Sequence, residues 1–206
     1  WPRKPSVTTP AVILVVGDSL SAGYGLSPGQ GWVALLQKRL KQEGYGHRVV
    51  NASVSGETTD GGVARLDRAL ATHKPGIVVL ELGGNDGLRG LPVSRVEANL
   101  GLLITKSRAA GAQVLLLTVR MPTNYGPQYA SAYQQIYDDL RVRYKVGVAA
   151  LMSPEVALDL TYREVTDVRA VLQSGCRVRS YVVHPLGMRG RAAHRPRTAL
   201  AGGQRH

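Results

Sequence analysis

A chain of 206 residues is the length of one large domain, and with 44% hydrophobic and 19% charged residues it can bury a core, which excludes wholesale disorder. No stretch approaches the ~18 consecutive apolar residues of a membrane-spanning helix, and a single cysteine, Cys176, excludes an internal disulfide framework or a zinc site built on cysteines. The net charge of +12 leaves anionic partners open, but no aromatic interleaving or known nucleic-acid module accompanies it, so no specific nucleic-acid contact is expected.

The first ten residues hold Pro2, Pro5 and Pro10 and read as an extended lead-in. A start without Met points to a processed chain and to a periplasmic or secreted location. Five apolar, β-branched runs follow: Ala11–Gly17, His47–Ser53, Ile77–Leu82, Gln113–Val119 and Val146–Met152. Each is short and nearly continuous in apolar character, as a strand covered on both faces should be.

The segments between them have helical period. Trp32, Val33, Leu36 and Leu40 form one stripe, stopped by Gly44. Val63, Leu66 and Leu70 form a second. Val93, Val96, Leu100, Leu103 and Ile104 form a third, with Pro92 at its first turn and Gly111 past its end. Tyr129, Tyr133, Ile136, Leu140 and Tyr144 form a fourth, whose tyrosines read as core and interface filler. Alternating strands and helices predict an α/β fold: a three-layer αβα sandwich around a five-stranded parallel sheet. Residues 1–160 make up that domain, with no linker before about residue 153.

Residues 161–206 differ in character. They hold nine Lys and Arg against two Asp and Glu, more than half of the chain's excess charge, and no sustained period. They read as a basic C-terminal segment whose charge allows a weak contact with anionic surfaces, with little order expected from Gly187 to His206.

Ligands of an open α/β sheet bind outside the carboxyl ends of the strands. There the chain places Gly17-Asp18-Ser19-Leu20-Ser21, Val54-Ser55-Gly56-Glu57-Thr58 and Gly83-Gly84-Asn85-Asp86. Singly, each is an ordinary turn or cap. In this order, each directly after a strand, they are far more specific. Gly17-Asp18-Ser19-Leu20-Ser21-Ala22-Gly23-Tyr24-Gly25 resembles the first block of the SGNH (GDSL) hydrolases, in particular their bacterial thioesterase I, arylesterase and lysophospholipase branch. Asn51 to Thr59 resembles the second block and Glu81 to Gly90 the third. The resemblance runs from about Ala11 to Asp159 and implies the flavodoxin-like SGNH hydrolase fold.

It also implies roles that ester chemistry requires. Ser19 would be the nucleophile. The backbone N–H groups of Ser19 and Gly56 and the side-chain amide of Asn85 would form the oxyanion hole. Gly56 suits that role because no Cβ blocks the approach to its N–H. Asp18 and Asp86 would order their turns, and no metal or cofactor is called for.

A serine hydroxyl needs a base. His47 begins the second strand and His73 lies just before the third, so both sit at the amino edge, about a strand length (~17–20 Å) from Ser19. His184, His194 and His206 remain. The family's fourth block is an Asp followed three residues later by His-Pro. Here His184-Pro185 matches, but Tyr181 stands in the place of the Asp; counting from the earlier blocks instead reaches Asp167, with Ala170 where the histidine belongs. Three accounts fit: a rearranged pair of His184 with Asp167 or Asp159, a His184 oriented by a backbone carbonyl, or an altered reading frame after about residue 160.

The expected function is a serine hydrolase cleaving carboxylic esters and thioesters, acyl or aryl, through an acyl-enzyme. The alternative is a catalytically impaired SGNH domain that binds acyl ligands without efficient turnover. Nucleotide binding fits the fold class, but Gly23-Tyr24-Gly25 lacks the rest of the dinucleotide fingerprint and no P-loop is present. The expected partner is a small ester substrate, walled partly by the loop from Met121 to Pro127, and the expected state is a monomer.

Overall fold

A computed structural model describes residues 11–121 and 125–151. Its strands are β1 (Val12–Gly17), β2 (Arg48–Asn51), β3 (Ile77–Glu81), β4 (Gln113–Thr118) and β5 (Gly147–Ala150). Its helices are α1 (Ser19–Ala22), α2 (Trp32–Gln42), α3 (Thr59–His73), α4 (Gly84–Leu88), α5 (Val93–Ala109) and α6 (Pro127–Tyr144). All strand pairs are parallel, in the order β2-β1-β3-β4-β5. The parallel pairing is the one expected from the alternation of elements, and the order is that of the flavodoxin-like fold the resemblance implies.

Strand alternation sorts the core into two layers. Leu14, Val16, Val78, Leu80, Val114 and Leu116 point to one face, against α3, α5 and α6. Ile13, Val15, Ile77, Val79, Leu115 and Leu117 point to the other, where Trp32, Val33, Leu36 and Leu40 of α2 pack. Every residue of β3 is buried, which is why its run is apolar almost throughout. β2 departs from the expectation of burial on both faces: it is four residues long, and its ends Arg48 and Asn51 are exposed. It is an edge strand, paired to β1 alone, so its backbone and side chains meet solvent.

The four long helices fall on the four predicted stripes. α3 is capped by Thr58, whose hydroxyl accepts from the Gly61 N–H, and α6 carries Pro127 in its first turn. The short helices α1 and α4 are too brief to produce a period.

The chain leaves β1 toward β2 on one side and returns to β3 on the other. A crevice therefore opens between the carboxyl ends of β1 and β3, and α1 and α4 begin there. The C-terminal boundary near residue 160 lies outside the described residues, as does everything expected of residues 161–206.

Candidate active site

Gly17 ends β1, paired with Glu81 at the end of β3. Asp18 caps the helix that follows, its Oδ1 accepting from the Leu20 N–H at 3.0 Å. Ser19 is thus the first residue of a single helical turn just past the carboxyl end of β1, half-buried above a buried floor. Gly23, at φ 77°, ends that turn.

The loop after β2 is tied alongside. Val54 N–H donates to Gly17 O at 3.0 Å, and Asn51 Nδ2 donates to Ser21 O at 2.8 Å. Gly56 is exposed at φ 77°, and a Cβ there would meet nothing within 4 Å. The residue is therefore required by conformation, since a left-handed backbone disfavours a side chain, and not by crowding within the protein. Arg89 reaches across from the end of α4 to donate to Gly56 O at 3.1 Å.

The loop after β3 closes the set. Asn85, in α4, places its Nδ2 2.9 Å from Glu57 O and 3.1 Å from Asp18 Oδ2. Glu57 is itself paired with Arg65 of α3 at 2.5 Å. The structure thus brings Ser19, Gly56 and Asn85 together at one edge of the sheet through bonds between their immediate neighbours.

Asp18 orders its own turn, as expected, whereas Asp86 bonds outside its turn. Buried Asp86 accepts from the Thr59 N–H at 2.9 Å and from Thr59 Oγ1 at 2.6 Å, which fastens the start of α3 to α4. Burial raises the Asp18 carboxyl above its ordinary range. Burial and the charge of Asp18 push Glu81 up to about 8.

Two features escaped the sequence reading. One is Glu81, a carboxyl with no exposure at the end of an apolar strand. A lone acidic residue inside the run Ile77–Leu82 was the available signal. The other is the purpose of the tyrosines. Tyr133 fills the core as expected and Tyr137 is buried beside it, but Tyr125, Tyr129 and Tyr133 also donate to carbonyls of the α4 region: Leu88 O at 2.9 Å, Leu91 O at 3.1 Å and Gly83 O. Spaced four apart along α6 and its lead-in, they brace one side of the turn that carries Asn85.

His47 directly precedes β2 and His73 ends α3, so both lie at the amino edge. Burial holds His47 below its ordinary value. His184, Asp167 and Asp159, and the other tail histidines His194 and His206, lie outside the described residues. Among the described residues no cluster of three His, Cys, Asp or Glu could hold a metal ion, and no helix is long and apolar enough to cross a membrane.

The sequence profile of the GDSL-like Lipase/Acylhydrolase family matches residues 15–193. The chain belongs to that family. Among its relatives, Esterase TesA of Pseudomonas aeruginosa is 54% identical over 136 residues, which are 66% of this chain and 68% of that protein. Thioesterase 1/protease 1/lysophospholipase L1 of Escherichia coli K12 is 42% identical over 146 residues, 71% of this chain and 69% of that protein. Among solved structures, the psychrotrophic esterase EstA from a Pseudoalteromonas species is similar with a TM-score of 0.69 at 36% identity, over 79% of this chain and 91% of that one. Family members at this likeness share the three-layer α/β fold, as the strand order here also has it.

Proposed function

We propose that this family member is a serine hydrolase that cleaves carboxylic esters and thioesters, acyl or aryl, through an acyl-enzyme. The observation that carries the reading is the convergence of Ser19, Gly56 and Asn85 at the switch point of the sheet, in a chain whose relatives are named esterase and thioesterase. Ser19 Oγ attacks the substrate carbonyl and passes its proton to the base. The former carbonyl oxygen gains a negative charge, stabilised by the backbone N–H groups of Ser19 and Gly56 and by the Asn85 amide. Collapse expels the alcohol or thiol, which takes the proton from the base; water, deprotonated by the same base, then attacks the acyl-enzyme, and the acid leaves as Ser19 Oγ regains a proton.

His184 is the assigned base and Asp167 its carboxylate, both from the sequence. Residues 1–160 form the hydrolase domain of this proposal and 161–206 a basic segment appended to it, acting on small ester substrates as a monomer in the periplasm or outside the cell.

The test is hydrolysis of a short-chain aryl ester and of an acyl thioester by the purified chain, compared with Ser19→Ala. Wild-type turnover that Ser19→Ala abolishes supports the reading. Equal rates for the two proteins defeat it. The second reading, acyl binding without efficient turnover, is favoured by Tyr181 standing where the family pattern has Asp. It predicts that a fatty acid binds equally to both proteins and that neither turns over.

A further inference from the structure

We propose that Glu81 is a positioning residue for Ser19, standing beneath the Ser19 turn as a neutral carboxylic acid and bracing that turn against β3. The kinetic part of this inference rests on the proposed role of Ser19; the brace itself does not.

The geometry is a grip on both sides of Ser19. Glu81 Oε2 lies 2.6 Å from Ser21 Oγ and 3.4 Å from the backbone nitrogen of Asp18. Asp18 immediately precedes Ser19, and Ser21 is two residues beyond it. Gly17 makes the contact possible. A Cβ there would stand 2.5 Å from Ser21 Oγ and 2.8 Å from Glu81 Oε2, so any side chain would force the two apart. The glycine of the first motif block is thus tied to a residue at the start of the third.

The surroundings favour the neutral acid. An ionised carboxylate offers about four acceptor sites. Glu81 receives two hydrogen bonds, one of them long, and Oε1 is buried without a partner among the described residues. No described cation pairs with it. The titratable groups that act on this cluster are Asp18 in the turn after β1, Asp86 on α4, whose charge acts on Asp18, and Tyr137 on α6, whose hydroxyl is raised by burial. None supplies a positive charge. Ionising Glu81 would place a second negative charge beside Asp18, and Asp18 already touches the Asn85 amide. Ionisation would strengthen the bonds from Ser21 and the Asp18 N–H but set the new charge against the Asp18 carboxylate, so alkaline pH should oppose the oxyanion.

The experiment uses the full chain, Glu81→Gln, Glu81→Ala and Ser21→Ala, with phenyl acetate as substrate between about pH 6 and about pH 10. Glu81→Gln keeps an acceptor for Ser21 and Asp18 and cannot ionise. It should hold kcat within about threefold of wild type at pH 7 and stay level where wild type falls through about pH 8. Glu81→Ala should lose kcat about tenfold or more with KM within about twofold. Amide exchange at Asp18, Leu20 and Ala22 should be wild-type in Glu81→Gln and faster in Glu81→Ala; should the latter not fold, Ser21→Ala, which deletes the short bond, gives the same readout.

An alkaline fall in Glu81→Gln matching wild type, or wild-type kcat and exchange in Glu81→Ala, would overturn the proposal. If wild type and Ser19→Ala are equally inactive, the ester reading fails. The brace is then decided by amide exchange and by carbon-13 titration of the Glu81 carboxyl, where a midpoint below about 6 refutes it.

Discussion

The Asn85 amide donates to Asp18 Oδ2 at 3.1 Å and to Glu57 O at 2.9 Å, so both of its hydrogens are engaged inside the protein. A donor that serves a transition state must be aimed in advance, and these two bonds do the aiming: one from the turn that carries Ser19, one from the loop that carries Gly56. They also mean that service to an oxyanion requires one bond to be exchanged.

Asn85→Ala should therefore lower kcat by about 10²–10³, the usual effect of deleting one such donor, while KM changes little. The bonds it removes also tie three loops, so thermal stability should fall, by about 1 kcal/mol for each bond lost. Steady-state kinetics and thermal unfolding check the two parts. A variant with unchanged kcat and only raised KM would make Asn85 a substrate-binding residue.

Gly56→Ala separates conformation from crowding. Its Cβ would meet nothing within 4 Å, but φ is 77°, where an L-residue is strained by roughly 1–2 kcal/mol. The exposed loop can relieve that strain by rotating, and rotation takes the Gly56 N–H away from the site. The expected result is a folded protein with an almost unchanged melting temperature and kcat reduced about tenfold or more. Loss of stability with full activity per folded molecule would show that the loop holds its shape and that its N–H is not used.

Glu81 gives stability a pH dependence opposite to that of an ion-paired carboxylate. Its folded value of about 8 lies above the ordinary 4.5. Between these limits the folded chain holds a proton that the unfolded chain has released, so stability falls as pH rises through that window and is unaffected by this group below about 4.5. Asp18, also raised by burial, acts in the same direction. Glu81→Gln removes the larger effect. Its melting temperature relative to wild type should rise by several degrees between about pH 5 and about pH 8. A constant offset across that range would mean that Glu81 is ionised in the folded protein.

The parts of this molecule that were legible in the sequence are those written in local pattern. Continuous apolar runs located all five strands to within a few residues, because a strand buried on both faces leaves no room for polar side chains. Stripes such as Trp32-Val33-Leu36-Leu40 located the long helices, because one face must meet the sheet. Ser19, Gly56 and Asn85 could be brought to one edge because a parallel sheet delivers every strand's carboxyl end to the same side. The contacts that hold them could not be read in this way. Asn85 to Asp18 joins residues 67 apart, and Ser21 to Glu81 joins residues 60 apart. Such pairs follow from strand register, which no local period encodes. β2 was read too long for a related reason: an edge strand and a central one share an apolar run, and only pairing distinguishes them.

The base is the remaining piece, and the fold bears on whether His184 can supply it. β5 is parallel to β1, so the chain leaves Ala150 and Leu151 at the edge where Ser19 lies. In the order β2-β1-β3-β4-β5, β5 is three strand spacings from β1, about 14 Å at ~4.8 Å each. The 33 residues from Leu151 to His184 can span several times that distance. Reach is therefore ample and orientation is the issue, since no Asp stands three residues before His184. A serine hydrolase whose base wholly lacks a carboxylate partner loses about 10⁴ in kcat by the precedent of the serine proteases, and a displaced partner such as Asp167 would recover part of that. Weak esterase activity is expected, with His184→Ala removing most of it and Asp167→Asn a smaller part. If His184→Ala matches wild type while Ser19→Ala is inactive, another group is the base. If replacing residues 161–206 with a segment carrying the family's Asp-x-x-His-Pro pattern raises kcat by orders of magnitude, the native segment lacks a working pair. Turnover typical of good esterases in the native chain would instead defeat the account of an altered reading frame after about residue 160.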